Sequence, residues 1–338
     1  MKVAVVILNW NGRDFLEKFL PLVLHHSRGD AEVIVADNAS TDDSVNFLKE
    51  HFPEVRLILN QDNGGFAKGY NDALSQLDAE YYVLLNSDIE VTPNWIKPVI
   101  ELMDSDPAIA ACQPKIRSWY ERSKFEYAGA AGGFIDAYGY PFCRGRIFFD
   151  LEEDQGQYDD ACEVFWASGA CMFVRAELYH RFGGLDADFF AHMEEIDFCW
   201  RLKAEGYRIM YCPDSVVFHI GGGTLPKSNA RKTYLNFRNN FTLLYKNLPS
   251  SKLFPVFFVR LMLDGVAGLK FLFSGGFRDM YAVTRAHFAF YRQWPANRKK
   301  RRALKQADVN CIYRGNLVAD RYLKGLRSFS QLNKSKIR

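Results

Sequence analysis

The stretch YYVLLNSDIEV, residues 81–91, is an apolar run that ends in an amide, a hydroxyl and a carboxylate: Asn86, Ser87 and Asp88. Alone, it reads as a buried strand closed by a turn, because Asn, Ser and Asp bond their own backbone and tolerate turn geometry. The chain upstream repeats the pattern. VAVVIL (3–8), EVIVAD (32–37) and VRLILN (55–60) are short β-branched runs, followed by helical spacing near 13–26, 42–51 and 66–77. Strands alternating with helices predict an α/β domain with a mainly parallel sheet. In such sheets ligands bind beyond the carboxyl ends of the strands. Polar clusters stand at those ends: Asn9-Trp10-Asn11-Gly12, Asp37-Asn38-Ala39-Ser40, the run Asn60 to Gly65, and Asn86-Ser87-Asp88. Four loops are therefore expected on one rim, which favours a ligand role for Asp88 over a plain turn.

With 338 residues, 48% of them apolar and 25% charged, the chain can bury a large core and is expected to hold more than one structural unit. The start has a short apolar run and then Asn9-Trp10-Asn11-Gly12, without the length or cleavage region of a signal peptide. Seven scattered cysteines with no C-x-x-C pair argue against a disulfide framework or zinc site and predict a reducing, cytoplasmic compartment. The net charge of +3 conceals a polarity: residues 1–224 carry 19 Lys and Arg against 36 Asp and Glu, whereas 225–338 carry 24 against 4. The basic part suits an anionic lipid surface or a diphosphate. Nucleic acid is not expected as a partner, since no recognisable binding module accompanies the charge. The first strand-to-helix turn lacks both G-x-G-x-x-G and G-x-x-x-x-G-K-[ST], which counts against dinucleotide-binding dehydrogenases and P-loop enzymes. From about 140 to 165 the pattern is irregular, and the acidic run 150–154 reads as a solvated loop.

Six segments in order, VVILNWNG, VIVADNASTDDS, NGGFAKGYN, LLNSDIEV, the long stretch from ASGACMF to VVFH, and GGGT, resemble family 2 of the glycosyltransferases, particularly its rhamnosyltransferase-like branch. The resemblance covers roughly residues 3–224. It implies the GT-A fold (a mainly parallel mixed sheet flanked by helices), a nucleotide-diphosphate sugar donor, a divalent metal (Mn or Mg), and transfer with inversion. The basic, mostly helical tail lies outside it, so the expected division is a catalytic domain over 1–235 and a helical basic region over 236–338.

Transfer from a nucleotide sugar expels a diphosphate, whose developing charge a divalent cation neutralises most directly. By resemblance Asp88 is a metal ligand, although Asn86 stands where the family's motif has its first acid, and His219 matches a second ligand position. Gly221, Gly222 and Gly223 would let backbone approach a phosphate or form a closing loop. Asp37 resembles the acid that accepts the ring N–H of uracil or thymine, which predicts dTDP- or UDP-sugars over cytidine donors. STDD at 40–43 reads as a capping box that leaves Asp37 free. Asn9, Gly65, Lys68, Asn86, Ser87 and Trp166 complete the expected donor site, Lys68 meeting phosphate and Trp166 offering a ring face to the sugar. Of the acids in HMEEID (192–197), Glu195 matches the family's base and Glu194 is its neighbour, though acids also gather at a helix start to complement its dipole. The acceptor implied is a surface polysaccharide or lipid-linked glycan. Nucleotidyl transfer and a catalytically silent glycan- or nucleotide-binding module are the rival readings.

LFPVFFVRLMLDGVAGLKFLF (253–273) has the length of a membrane span but carries Arg260, Asp264 and Lys270. Three central charges, at about 2.5 to 3.5 kcal/mol each, offset what its fourteen Leu, Val, Phe and Met residues gain. At 100° per residue the charges share one side, leaving a broad apolar face suited to the interface of an anionic membrane on its cytoplasmic side. The competing reading is an ordinary helix covering the core.

Overall fold

In the computed structural model, which describes residues 1–221 and 230–338, β1 (Val3–Asn9), α1 (Arg13–Ser27), β2 (Glu32–Asp37), α2 (Ser44–His51), β3 (Arg56–Leu59), α3 (Gly65–Leu74) and β4 (Tyr81–Asn86) follow one another as the alternation predicts. β1 lies between β2 and β4, with β3 outside β2, and all four run parallel. Ala4 and Val6 enter one core while Val3, Val5 and Ile7 enter the other. Burial on both faces is why this strand is apolar throughout instead of alternating.

The chain continues through β5 (Ile89–Val91), α4 (Lys97–Asp104), β6 (Ile109–Ser118), β7 (Gly133–Asp136), β8 (Pro141–Cys143), β9 (Arg146–Ile147), β10 (Asp150–Leu151), β11 (Cys162–Val164), β12 (Cys171–Arg175), α5 (Ala176–Arg181), α6 (Glu194–Ala204) and β13 (Arg208–His219). β12 runs antiparallel between β4 and β6, and β13 runs parallel to β6. The main sheet is therefore mixed, ordered β11-β13-β6-β12-β4-β1-β2-β3, with β5 pairing the end of β13. α7 (Ala230–Asn247), α8 (Ser250–Phe273), α9 (Phe277–Arg292), α10 (Trp294–Ala303), β14 (Ile312–Tyr313) and α11 (Leu317–Tyr322) complete the chain.

Four local expectations change. The irregular stretch after 140 is a second sheet, ordered β10-β9-β8-β7-β14, whose last strand comes from the C-terminal region. Within the acidic run, the Asp154 side chain is only 6% exposed and pairs with Lys115 at 3.1 Å and Arg117 at 3.5 Å, so that run is not merely solvated. Ser40 does not cap α2: its hydroxyl accepts from the Asn11 N–H and the Asn9 amide, while Asp42 takes the Ser44 N–H. The expected boundary at 235 falls inside α7, and Phe329 returns to pack on Phe134 and Phe142.

α8 is turned with Arg260 and Asp264 inward, while Lys270, expected on the same side, stays exposed. Arg260 and Asp264 are at most 2% exposed. The Arg260 guanidinium donates to the Tyr138 carbonyl, Asn240 and Asp264, and His287 lies 3.3 Å from the other Asp264 oxygen. Phe254, Phe258, Met262, Val266, Leu269 and Phe273 point outward, each more than half exposed. Spaced three or four residues apart, they form one stripe, and Phe277, Tyr281 and Phe288 of α9, which packs on α8, are exposed as well. A core-covering helix would bury that stripe and expose the charges. Of the run Arg298 to Arg302, Lys300 pairs with Asp186 and Asp188 and Arg301 is buried against the Tyr245 and Leu248 carbonyls, leaving three basic residues outward.

Asp197, in the first turn of α6, is fully buried. It accepts from Arg201 and Lys246 at 2.9 Å and from Asn247 at 2.8 Å, which locks α6 to α7. Burial alone would push its carboxyl up, but Lys246 and Arg201 hold it below the usual range. This acid of HMEEID is thus a structural anchor. Asp197→Ala is expected to cost about 3 to 5 kcal/mol in urea unfolding at neutral pH, because it strands two buried cations. Since its folded pKa is depressed, its contribution is present above the unfolded value of about 3.9 and lost as pH falls below it. The difference between wild type and variant should therefore shrink below about pH 4; an unchanged difference there would contradict the assignment.

Candidate active site

The rim expected from the strand ends exists. At the end of β1 the Asn9 amide donates to Asp37 at 3.0 Å, and the other Asp37 oxygen accepts the Ser40 N–H at 2.8 Å. The Asn9 side-chain oxygen is buried without a hydrogen-bond partner among the described residues. A Cβ at Gly12 would lie 2.5 Å from that oxygen and 3.3 Å from the Ser87 hydroxyl, so the β1 and β4 loops touch.

β5 begins one residue after Asp88 and folds onto β13 in a register that sets Ile89 opposite His219. That pairing brings Asp88 Oδ1 to 3.1 Å from His219 Nε2, with the Asn86 amide 3.5 Å from the same nitrogen. On the other side of the ring, Nδ1 lies 3.1 Å from a Glu126 oxygen. All three charged residues are buried. Burial opposes the charge on each, but the two carboxylates outweigh it and hold the imidazole well above its usual pKa. In turn His219 keeps Asp88 and Glu126 below theirs. Gly221 has φ of 71°, and a side chain there would strike Glu126 Oε1. Gly222 and Gly223 lie outside the described residues.

Among the described residues no group of three or more His, Cys, Asp or Glu side chains is arranged to hold a metal alone. The Asp88–His219 pair nevertheless fits two adjacent positions of an octahedral cation, since neighbouring ligands at about 2.1 Å bond lengths stand about 3 Å apart. Such binding requires His219 Nε2 to lose its proton. Glu126, facing Nδ1, is the carboxylate that commonly orients a metal-ligating histidine.

Glu194 and Glu195 open α6 after a loop in which Phe190, His192 and Met193 all have positive φ, at 66°, 70° and 75°. Strain of this kind persists only where surrounding bonds impose it. Here Arg238 and Asn239 of α7 donate to the Asp188, Phe189, Ala191 and His192 carbonyls. One oxygen of each glutamate is buried without a hydrogen-bond partner among the described residues. Burial raises the Glu195 carboxyl to about 7, and burial plus its neighbour raises Glu194 well above the normal range.

Three expected donor contacts are otherwise engaged. Lys68 pairs with Asp62 at 2.5 Å and Asp72 at 2.8 Å, which raises its pKa to about 12. Trp166 is a core residue, 4% exposed, donating its indole N–H to the Phe134 carbonyl. Gly65 has φ of 86°, and a Cβ there would meet the Phe190 carbonyl, so its bare backbone admits the α6 loop instead of a ligand. Sequence reasoning missed Glu126, which no motif marks; only the small-residue run AGAAGG (128–133) after it hints at close packing.

A mixed α/β sheet presenting a carboxylate and a histidine at its carboxyl edge, with two glutamates at a neighbouring helix start, defines an enzyme-like site. The family model for Glycosyl transferase family 2 matches residues 4–183, and the chain belongs to that family. An N-acetylglucosaminyl-diphospho-decaprenol L-rhamnosyltransferase of Mycobacterium tuberculosis is 26% identical over 232 residues, covering 64% of this chain and 75% of the relative. The low-salt glycan biosynthesis hexosyltransferase Agl10 of Haloferax volcanii is 23% identical over 246 residues, covering 71% and 74%. Among solved structures, GalNAc-T7 with UDP, GalNAc and Mn2+ superposes with a TM-score of 0.58 at 15% identity, covering 75% of this chain and 49% of that one. The mannosyltransferase PcManGT from Pyrobaculum calidifontis, with GDP-Man and Mn2+, gives 0.53 at 17%, covering 89% and 85%. The fold is GT-A.

In metal-free protein the His219 imidazole is expected to remain protonated through neutral pH, as read by its ring resonances in an NMR titration. Glu126→Gln should bring that titration down, because one of the two carboxylates that raise it is gone. A wild-type His219 that titrates near 6.5 would contradict the clamp.

Proposed function

We propose that the chain is a metal-dependent, inverting glycosyltransferase that moves a hexose, rhamnose by preference, from a dTDP- or UDP-sugar to a lipid-linked or surface glycan. The observation that carries this reading is the Asp88–His219 pair, 3.1 Å apart at the carboxyl edge of the sheet. The choice of rhamnose and of a lipid-linked acceptor draws on the name of the mycobacterial relative. When bound between Asp88 and His219, manganese or magnesium would neutralise the charge developing on the departing diphosphate. Asp37 has both oxygens engaged by Ser40 and Asn9, yet each keeps a lone pair for the ring N–H of uracil or thymine. Asn9, Asn86 and Ser87 border the same rim. Glu195 removes the acceptor hydroxyl proton as that oxygen attacks C1 of the sugar and the C1–O bond to the diphosphate breaks, which inverts the centre. A carboxyl raised to about 7 is the better base for this step. Glu194, whose carboxyl burial and Glu195 push well above the usual range, is the poorer candidate.

The outward stripe on α8 and α9 is proposed to seat on the cytoplasmic face of an anionic membrane. No described helix is long and apolar enough to cross one. Exposed Arg278, Arg298, Lys299 and Arg302 belong to the same helical region, and each cation near an anionic leaflet adds about 1 kcal/mol.

Asp88→Asn should abolish manganese-dependent binding of UDP or dTDP while the protein stays folded. Glu195→Gln should keep nucleotide affinity and lose donor turnover by about 100-fold or more. Wild-type turnover should fall about tenfold per pH unit below about 7, as Glu195 gains its proton; a fully active Glu195→Gln would remove the proposed base.

On flotation, the protein should rise with phosphatidylglycerol vesicles and not with phosphatidylcholine ones, and high salt or Phe258→Glu with Val266→Glu should abolish this. A salt-independent dimer that sediments as such and ignores vesicles would mean that the stripe instead faces a second copy.

A further inference from the structure

Beside the α6 loop, α7 and α9 flank a cavity of about 640 Å³ into which Arg231, Arg238, Arg278 and Arg285 converge, and among the described residues no acid lines it. Arg238 and Arg285 both stand over the ring of Tyr234, at 5.6 and 4.6 Å, and Arg231 stands over Phe190 at 5.0 Å. Setting Arg238 and Arg285 on one ring brings like charges together, which is unfavourable unless an anion shares the space. The buried Arg238 donates to backbone carbonyls, whereas Arg278 and Arg285 are exposed and form no ion pair among the described residues. Residues 222–229, GGTLPKSN, contain no acid that could supply one.

Two further features limit the ligand. Phe277 and Tyr281 line the cavity and also belong to the outward apolar surface, at 62% and 60% exposed, so the arginines sit at the edge of the stripe. At the other end Phe190 lines the cavity, while its carbonyl accepts the Phe66 N–H at 2.7 Å and its loop leads within four residues to Glu194. The cavity thus runs from the proposed membrane-facing surface to the loop that precedes the proposed base.

We infer that this cavity binds the diphosphate of a prenyl-diphosphate-linked acceptor, with Arg278 and Arg285 pairing its oxygens and the prenyl chain leaving over Phe277 and Tyr281 along the α8–α9 stripe. Guanidinium groups suit phosphate because they offer two parallel donors. The sugar on that diphosphate would extend past Phe190 toward Glu195. The inference rests on the glycosyl-transfer reading for what the bound lipid is used for, but the binding can be measured without it.

Calorimetry on the full chain, in detergent-free buffer, should compare farnesyl diphosphate, inorganic diphosphate, farnesol, and UDP with Mn2+. Farnesyl diphosphate should bind about tenfold or more tightly than either inorganic diphosphate or farnesol. Arg278→Glu with Arg285→Glu should weaken it about tenfold or more, while Arg28→Glu with Lys49→Glu, the same charge change on exposed residues at the end of α1 and in α2, outside the cavity lining, should leave it within about threefold. UDP with Mn2+ should bind both variants like wild type. Equal farnesyl diphosphate affinity in the cavity variant, equal losses in both variants, or inorganic diphosphate binding as tightly as the prenyl form would each overturn the inference. Loss of UDP binding in wild type would instead sink the donor site and leave the lipid result standing.

Discussion

Three residues of antiparallel pairing, Ile89–Val91 against the end of β13, turn two distant side chains into a site. His219 is opposite Ile89 in that register, so Asp88 cannot leave β4 without meeting the imidazole. A slip by one residue would place alternate side chains on the opposite face and separate the pair. The cost of burying Asp88, Glu126 and His219 is offset only while all three stay together, since removing one partner strands a charge in a poor solvent. That dependence gives an apolar strand a reason to end on a carboxylate. It also explains why Gly221 is bare: the carboxylate of Glu126 occupies the space a side chain would need.

A second constraint holds the glutamates. Phe190, His192 and Met193 adopt backbone angles that non-glycine residues rarely occupy, and Arg238 and Asn239 hold their loop there through its carbonyls. The same helix anchors α6 through Lys246 and Asn247 to Asp197. α7 is thereby a clamp on the catalytic half of the chain as well as a wall of the arginine cavity. Outside it, α8 buries Arg260 and Asp264 and leaves its apolar side uncovered, so one helical layer serves both the loop within and the proposed lipid surface without.

What could be read from the sequence was local. β1 to β4 and the helices between them were legible because burial on both faces produces unbroken β-branched runs, and Asn9, Asp37, Asn86, Ser87 and Asp88 were legible because they sit where those runs stop. Residues whose role depends on contacts far along the chain were not. β14 joins β7 only through tertiary pairing, Glu126 reaches His219 from an unremarkable loop, and Lys68 meets Asp62 and Asp72 in place of phosphate. Helical spacing showed that the charges of α8 share a side. It could not show that Arg260 and Asp264 face in while Lys270 stays exposed, which required Tyr138, Asn240 and His287 as partners.

The claim that the Asp88–His219 pair holds the cation is tested most directly by electron spin echo envelope modulation of the Mn2+–UDP complex. Coupling to an imidazole nitrogen should appear in the wild-type spectrum and vanish in His219→Gln, with Mn2+ affinity weakened but measurable. A wild-type complex with bound UDP and no nitrogen coupling, or coupling that survives His219→Gln, would contradict it.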